Sequence, residues 1–163
     1  IWTMQSNYHN LPLINGVPQK HGATYKATQV QADKRKNTFT ANIATAYPAE
    51  AEVESWIRSY SLQKGQLRIS DSFRLTTAKQ PNQINFMTWG QVNTEIPGKI
   101  QLEVKGKKAF IEYDKQLFDV KTETIPLTDP RLSNVWGKSI YRITLTATNI
   151  YKTGNYSFII KKQ

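Results

Sequence analysis

At 163 residues the chain is long enough for one domain with a substantial core and too short for two. It has no cysteine, so disulfides, thiolate metal sites and cysteine nucleophiles are excluded. The net charge of +10, from 22 Lys and Arg against 12 Asp and Glu, favours polyanionic partners such as acidic polysaccharide, nucleic acid or anionic membrane. No apolar run reaches the ~20 residues of a membrane span.

The chain opens "IWTMQSNYHN", with no initiator Met and no signal-peptide pattern. It reads as though a strand were already under way, as expected of a fragment or a mature product. "SNYHNLPLINGVPQKHG", Ser6 to Gly22, follows and holds both histidines, His9 and His21, on either side of a strand-like "LPLING". "TYKATQV" and "TFTANIATAY" flank the polar cluster "QADKRKN" as the arms of a hairpin would. One helical turn fits "PAEAEVE", Pro48 to Glu54, with Pro at a permitted first position.

Beyond it the period is two. In "QLRISDSFRL", Leu67, Ile69, Phe73 and Leu75 share one face with Asp71, while Arg68, Ser70, Ser72 and Arg74 take the other. "KIQLEV" alternates, "KGKK" turns the chain and "AFIEY" returns it. "YRITLTAT" places Tyr141, Ile143, Leu145 and Ala147 on one side, and "GNYSFII" reads as the last strand. Some ten to twelve such segments predict an all-β fold, two antiparallel sheets packed as a β-sandwich. A closed barrel would carry the same periodicity.

The chemistry-bearing residues are sparse. Glycoside hydrolysis needs paired carboxylates, yet Asp71 is the one acid on an apolar strand face, and Asp114, Asp119 and Asp129 lie near turns. A protein zinc site needs several converging ligands, and with two histidines and no cysteine it would require carboxylates brought in by the fold. There is no G-x-S-x-G elbow, no Gly-rich phosphate loop and no nucleic-acid module signature. Trp56, Trp89 and Trp136 are expected to pack in the core or on the sheets. The basic clusters at 33–37, 105–108 and 161–162 are expected at turns or the terminus, either as solvated charges or as a basic face.

The segment "YHNLPLINGVPQ" resembles the HN-apolar-apolar-x-apolar-D/N-G-x-x-Q motif of heparinase II/III-like polysaccharide lyases, found near the start of their C-terminal β-sandwich region. "FTANIATAYPAEAEVESWIRSYSL", "LRISDSFRL" and "LTDPRLSNVWGKSIYRITLTA" resemble later parts of that region, so the likeness spans nearly the whole chain. The His-Asn segment and "WGKSIYRI" are its most specific parts.

The resemblance implies a parent protein with an N-terminal α/α toroid that cleaves acidic, uronate-containing glycans by β-elimination. A base removes the proton beside the uronate carboxyl group, an acid protonates the leaving oxygen, and the carboxyl group must be neutralised. Residues 1–163 then form a single C-terminal β-sandwich domain, periplasmic or secreted, that packs on the toroid and lines the cleft. By the same resemblance no catalytic acid or base lies in this chain, and His9, with Asn10 as its motif neighbour, is a zinc ligand of the full-length protein. His21 has no counterpart, and Asn42 stands where the related strand often has Asp. Without the toroid and a preceding H-x-H-x-D-like segment, no bound zinc is expected in this chain alone. The rival expectation is a non-catalytic carbohydrate-binding module using exposed aromatics such as Trp89, Trp136 or Tyr113. A nucleic-acid partner is indicated by charge alone and is not expected.

Overall fold

The structure, a computed structural model, describes residues 1–163. In chain order the strands are β1 (Pro12–Leu13), β2 (Thr28–Asp33), β3 (Thr38–Asn42), β4 (Val53–Gln63), β5 (Gln66–Leu75) and β6 (Gln83–Thr88). Then come β7 (Gln91–Ile96), β8 (Lys99–Val104), β9 (Lys107–Glu112), β10 (Phe118–Pro126), helix α1 (Pro130–Trp136), β11 (Ser139–Ala147) and β12 (Thr153–Lys162). They form a four-stranded sheet, β1-β6-β11-β10, and an eight-stranded sheet, β2-β3-β4-β5-β12-β9-β8-β7. Every pairing is antiparallel, so the expected all-β sandwich is what forms, with twelve strands. No helix is long and apolar enough to cross a membrane.

The period-two pattern sorts the faces as physical chemistry requires. Along β5, Ile69, Asp71, Phe73 and Leu75 are buried while Arg68, Ser72 and Arg74 stay exposed. On β11, Ile143, Leu145 and Ala147 point inward. Both sheets feed one cluster of 20 buried residues. At its centre Trp56 stacks on Phe73 with ring centroids 5.0 Å apart, and Tyr156, Phe118, Phe158 and Phe86 extend the aromatic contacts toward the four-stranded sheet.

Asp71 explains itself here. It is 1% exposed and meets Arg58, 2% exposed, from the adjacent strand β4. Arg58 Nε and Nη2 donate to the two carboxylate oxygens at 2.7 Å each, and Nη1 donates to the carbonyl of Asn10 at 2.9 Å. Burial opposes the guanidinium charge, but the Asp71 carboxylate more than offsets it, so the Arg58 pKa rises above its ordinary value.

Local departures have local causes. The chain opens with two 3-10 turns, Trp2–Met4 and Ser6–Tyr8, not with a strand. Of "LPLING" only Pro12 and Leu13 pair, with β6, because Asn15 and Gly16 turn the chain back and a bridge joins Ile14 to Val17. "TYKATQV" begins its strand only at Thr28. "PAEAEVE" forms one 3-10 turn, Ala49–Ala51, just after Pro48. Helix α1 was not expected, although its signals stand in "LTDPRLSNVWGK". The Asp129 side chain accepts from the Arg131 N–H, Pro130 is at the first turn and Gly137 follows the end.

Tyr47 ties this framework to β1, its hydroxyl donating to the Pro12 carbonyl. Burial pushes the Tyr47 hydroxyl well above its ordinary value near 10, and the charge of Arg58 and a hydrogen bond with Gln19 draw it partly back. The folded state thus favours protonated Tyr47 more than the unfolded chain does. That contribution is fully present below about pH 10 and is lost as the pH rises beyond it. Urea unfolding of the wild type should lose stability above about pH 10. Tyr47→Phe should flatten that fall and cost about 1 kcal/mol at neutral pH. A Tyr47→Phe profile as steep as the wild type's would remove Tyr47 from this role.

Candidate site around His9 and an aromatic groove

The segment from His9 to Gln19 is a strap across the sandwich, and most of it is consumed by the fold. Asn10 Oδ1 accepts from the Met87 N–H at 2.7 Å, while its carbonyl accepts from Arg58. The Leu11 carbonyl accepts from the Asn85 N–H, and the Pro12 carbonyl from Tyr47. Asn15 is buried at a φ of 51°, donates to the carbonyls of Ala51 and Thr77, and accepts from the N–H groups of Lys79 and Gln80. Gly16 has a φ of 74°, a left-handed conformation that other residues adopt only with strain, and a Cβ there would also push the Gln80 side chain aside. The Gln19 N–H donates to Ser6 Oγ at 2.8 Å.

His9 is the exception. Its ring is exposed, and Nε2 lies 3.0 Å from the Thr3 carbonyl oxygen. A carbonyl only accepts, so Nε2 carries the hydrogen, and in the neutral ring Nδ1 keeps its lone pair. Histidines that ligate metals are commonly anchored this way, with the second ring N–H on a carbonyl. The rest of a ligand set is not brought to it. No group of three or more His, Cys, Asp or Glu converges anywhere in the chain. The residues present therefore fit one ligand of a zinc site and not a whole site. His21 is exposed, just before the turn at Ala23 and Thr24, and takes no part.

His9 opens onto an apolar groove of about 340 Å³. Trp2 and Tyr8 come from the opening turns, Met87 and Trp89 from the end of β6, and Leu132 and Trp136 from α1. Trp89 is 43% exposed and Trp136 47%, so of the three tryptophans expected in the core or on the sheets, these two line the groove instead of the core. They meet edge to face with centroids 6.1 Å apart. Trp2 and Tyr8 form a second edge-to-face pair at 5.0 Å. Arg142, from "YRITLTAT", lies 4.6 Å over the Tyr8 ring and donates to the Asn7 carbonyl and to Glu123. Its charge is thus already engaged. Tyr113 is half-buried against the core and lies outside the groove.

Two of the three basic clusters come together in space. Lys107, Lys108 and Lys162 line one depression, which shares Thr88 with the aromatic groove. The third cluster occupies the β2–β3 turn, where Asp33 accepts from the N–H groups of Arg35 and Lys36. That turn belongs to the opposite end of the eight-stranded sheet from β7, β8 and β9. The sequence does not single out Trp2, Tyr8, Met87 and Leu132, because nothing local marks four residues from four elements as neighbours. No protein-family model matches the chain, and a search of curated proteins finds no match.

Proposed function

We propose that the chain is the C-terminal β-sandwich domain of a polysaccharide lyase that cleaves acidic, uronate-containing glycans by β-elimination in the periplasm or outside the cell. One observation carries the reading. Within the His-Asn motif, the fold holds His9 Nε2 on the Thr3 carbonyl and leaves Nδ1 without a partner, and the ring opens on a groove rich in tryptophan and tyrosine. An anchored ring with one nitrogen left open, presented at a groove of this chemistry, is what a cleft wall requires.

In this reading the catalytic acid and base come from an N-terminal toroid of the same protein. This chain positions the sugar ring against Trp89 and Trp136. Arg58 and Met87 hold both ends of the Asn10 unit, and so set where the neighbouring His9 points. A zinc ion in the full-length protein would take His9 Nδ1 as one ligand and polarise the oxygens near it.

The test is uronate double-bond absorbance on incubating the full-length protein with a broad panel of acidic glycans. No absorbance with any of them overturns the lyase reading. In an active full-length protein, His9→Ala should lower activity by about tenfold or more and reduce bound zinc. In the 163-residue chain alone the same substitution should barely move the melting temperature, because an exposed ring leaves few contacts behind. Unchanged zinc and activity would take His9 out of the site.

A second reading is a non-catalytic carbohydrate-binding module, favoured by the exposure of Trp89 and Trp136. Glycan-array binding by the isolated chain, lost on Trp136→Ala, together with no cleavage by the full-length protein, would select it.

A further inference from the structure

The alternation of β8 and β9 leads to a second depression. Cross-strand partners share a face, so Ile100 and Ile111 enter the core together. The same face continues outward through Leu102 opposite Ala109 and ends at Val104 opposite Lys107. On the other side of β9, Ala109 faces Lys162 of β12. Leu102, Val104 and Ala109 therefore floor a depression of about 820 Å³, with Lys107 and Lys162 rising from the same face.

These two lysines have no acid across from them, since their partners are Val104 and Ala109. The lysines of the opposite face differ. Lys161 is held by Glu112 at 2.6 Å, and Lys108 has Glu103 as its cross-strand neighbour without an ion pair and reaches the rim of the depression. Free cations thus collect on the face that has an apolar floor.

The depression meets the aromatic groove at the end of β6. Thr88 lines both, and Met87 and Trp89 flank it in the groove. The next residue, Gly90, allows the close approach of β8. A Cβ there would lie 2.7 Å from Val104 Cγ2 and 2.9 Å from the Glu103 carbonyl oxygen.

We infer that the lysine depression and the aromatic groove are one extended binding site for an acidic glycan, crossing the end of β6 at Thr88. Lys107 and Lys162 take the carboxylate or sulfate groups, and Trp89 and Trp136 take the apolar faces of neighbouring sugar rings. A nucleic acid fits less well, because it carries a phosphate at every nucleotide and calls for cations along its whole path. On the tryptophan side the guanidinium of Arg142 is already engaged by Tyr8 and Glu123. The inference rests on the acidic-glycan part of the reading above and adds where the acid groups bind.

The probe is a heparin-derived octasaccharide, titrated into the 163-residue chain at several salt concentrations. The wild type should bind it. Lys107→Gln/Lys162→Gln should weaken binding by about tenfold and reduce the salt slope by about two. Trp89→Ala should weaken it by at least about fivefold. Lys34→Gln/Lys36→Gln removes the same charge from the β2–β3 turn and should change affinity by less than about twofold.

An equal loss in both lysine pairs would mean bulk charge and overturn the site. So would unchanged affinity in Trp89→Ala, or tighter binding to an oligothymidylate of matched charge. No heparin binding alongside eliminative cleavage by the full-length protein overturns the extended site and leaves the lyase reading standing. Binding without cleavage does the reverse.

Discussion

Asp71→Ala should destabilise the chain by about 3–5 kcal/mol. The substitution removes a bidentate partner at 2.7 Å and leaves the guanidinium of Arg58, 2% exposed, in an apolar core without a counter-charge. Arg58 has one remaining acceptor, the Asn10 carbonyl, which does not neutralise it. The double substitution Arg58→Met/Asp71→Leu should cost less than Asp71→Ala alone, because no charge is then left buried. It still leaves the Asn10 carbonyl without its donor, at about 1–3 kcal/mol. Urea denaturation of the three chains decides the point. A single-mutant loss below about 1 kcal/mol would show that water or a rearranged partner satisfies Arg58. Because Arg58 also holds the residue next to His9, Asp71→Ala should reach the candidate site as well. In an active full-length protein it should lower turnover even at temperatures where the variant remains folded.

The second large effect is at Asn15, where Asn15→Ala should cost about 3–4 kcal/mol. Two terms add. Alanine tolerates the φ of 51° poorly, and four hydrogen bonds disappear from a residue that is 5% exposed. The orphaned groups are the carbonyls of Ala51 and Thr77 and the N–H groups of Lys79 and Gln80. They belong to segments far from the turn in sequence, so the strap and two distant loops loosen together. Asn15→Asp separates the terms, since it keeps the acceptor and loses the donor. It should fall between the wild type and Asn15→Ala. If it matches the wild type in a thermal melt, the side-chain amide donates nothing of consequence.

These two sites show what a motif can conceal. From sequence, "HNLPLINGVPQ" reads as one unit that points to chemistry. In the folded chain Asn10, Pro12, Asn15, Gly16 and Gln19 hold the strap in place, and His9, anchored at Nε2, keeps Nδ1 open to a partner. Asp71 was legible as an acid on an apolar strand face. Its partner was not: Arg58 shares an apolar face of β4 with Trp56 and Tyr60, but only the register of β4 against β5 sets it opposite Asp71. The same limit applied to Trp89 and Trp136. Each sits at an element end, where alternation stops and periodicity no longer tells inside from outside.

What the amino-acid sequence determined by itself is the two-residue alternation, and with it the all-β class, the facing of β5, β8 and β11, and the apolar set that fills the core. Those follow from local geometry, since successive strand residues must point to opposite faces. Only the tertiary structure decided that Trp2, His9, Trp89 and Trp136 share a groove, and that Lys107 and Lys162 stand free beside it. Residues so distant along the chain meet through strand order and register. Those in turn are settled by how two sheets jointly bury one core, a condition that no short stretch of sequence contains.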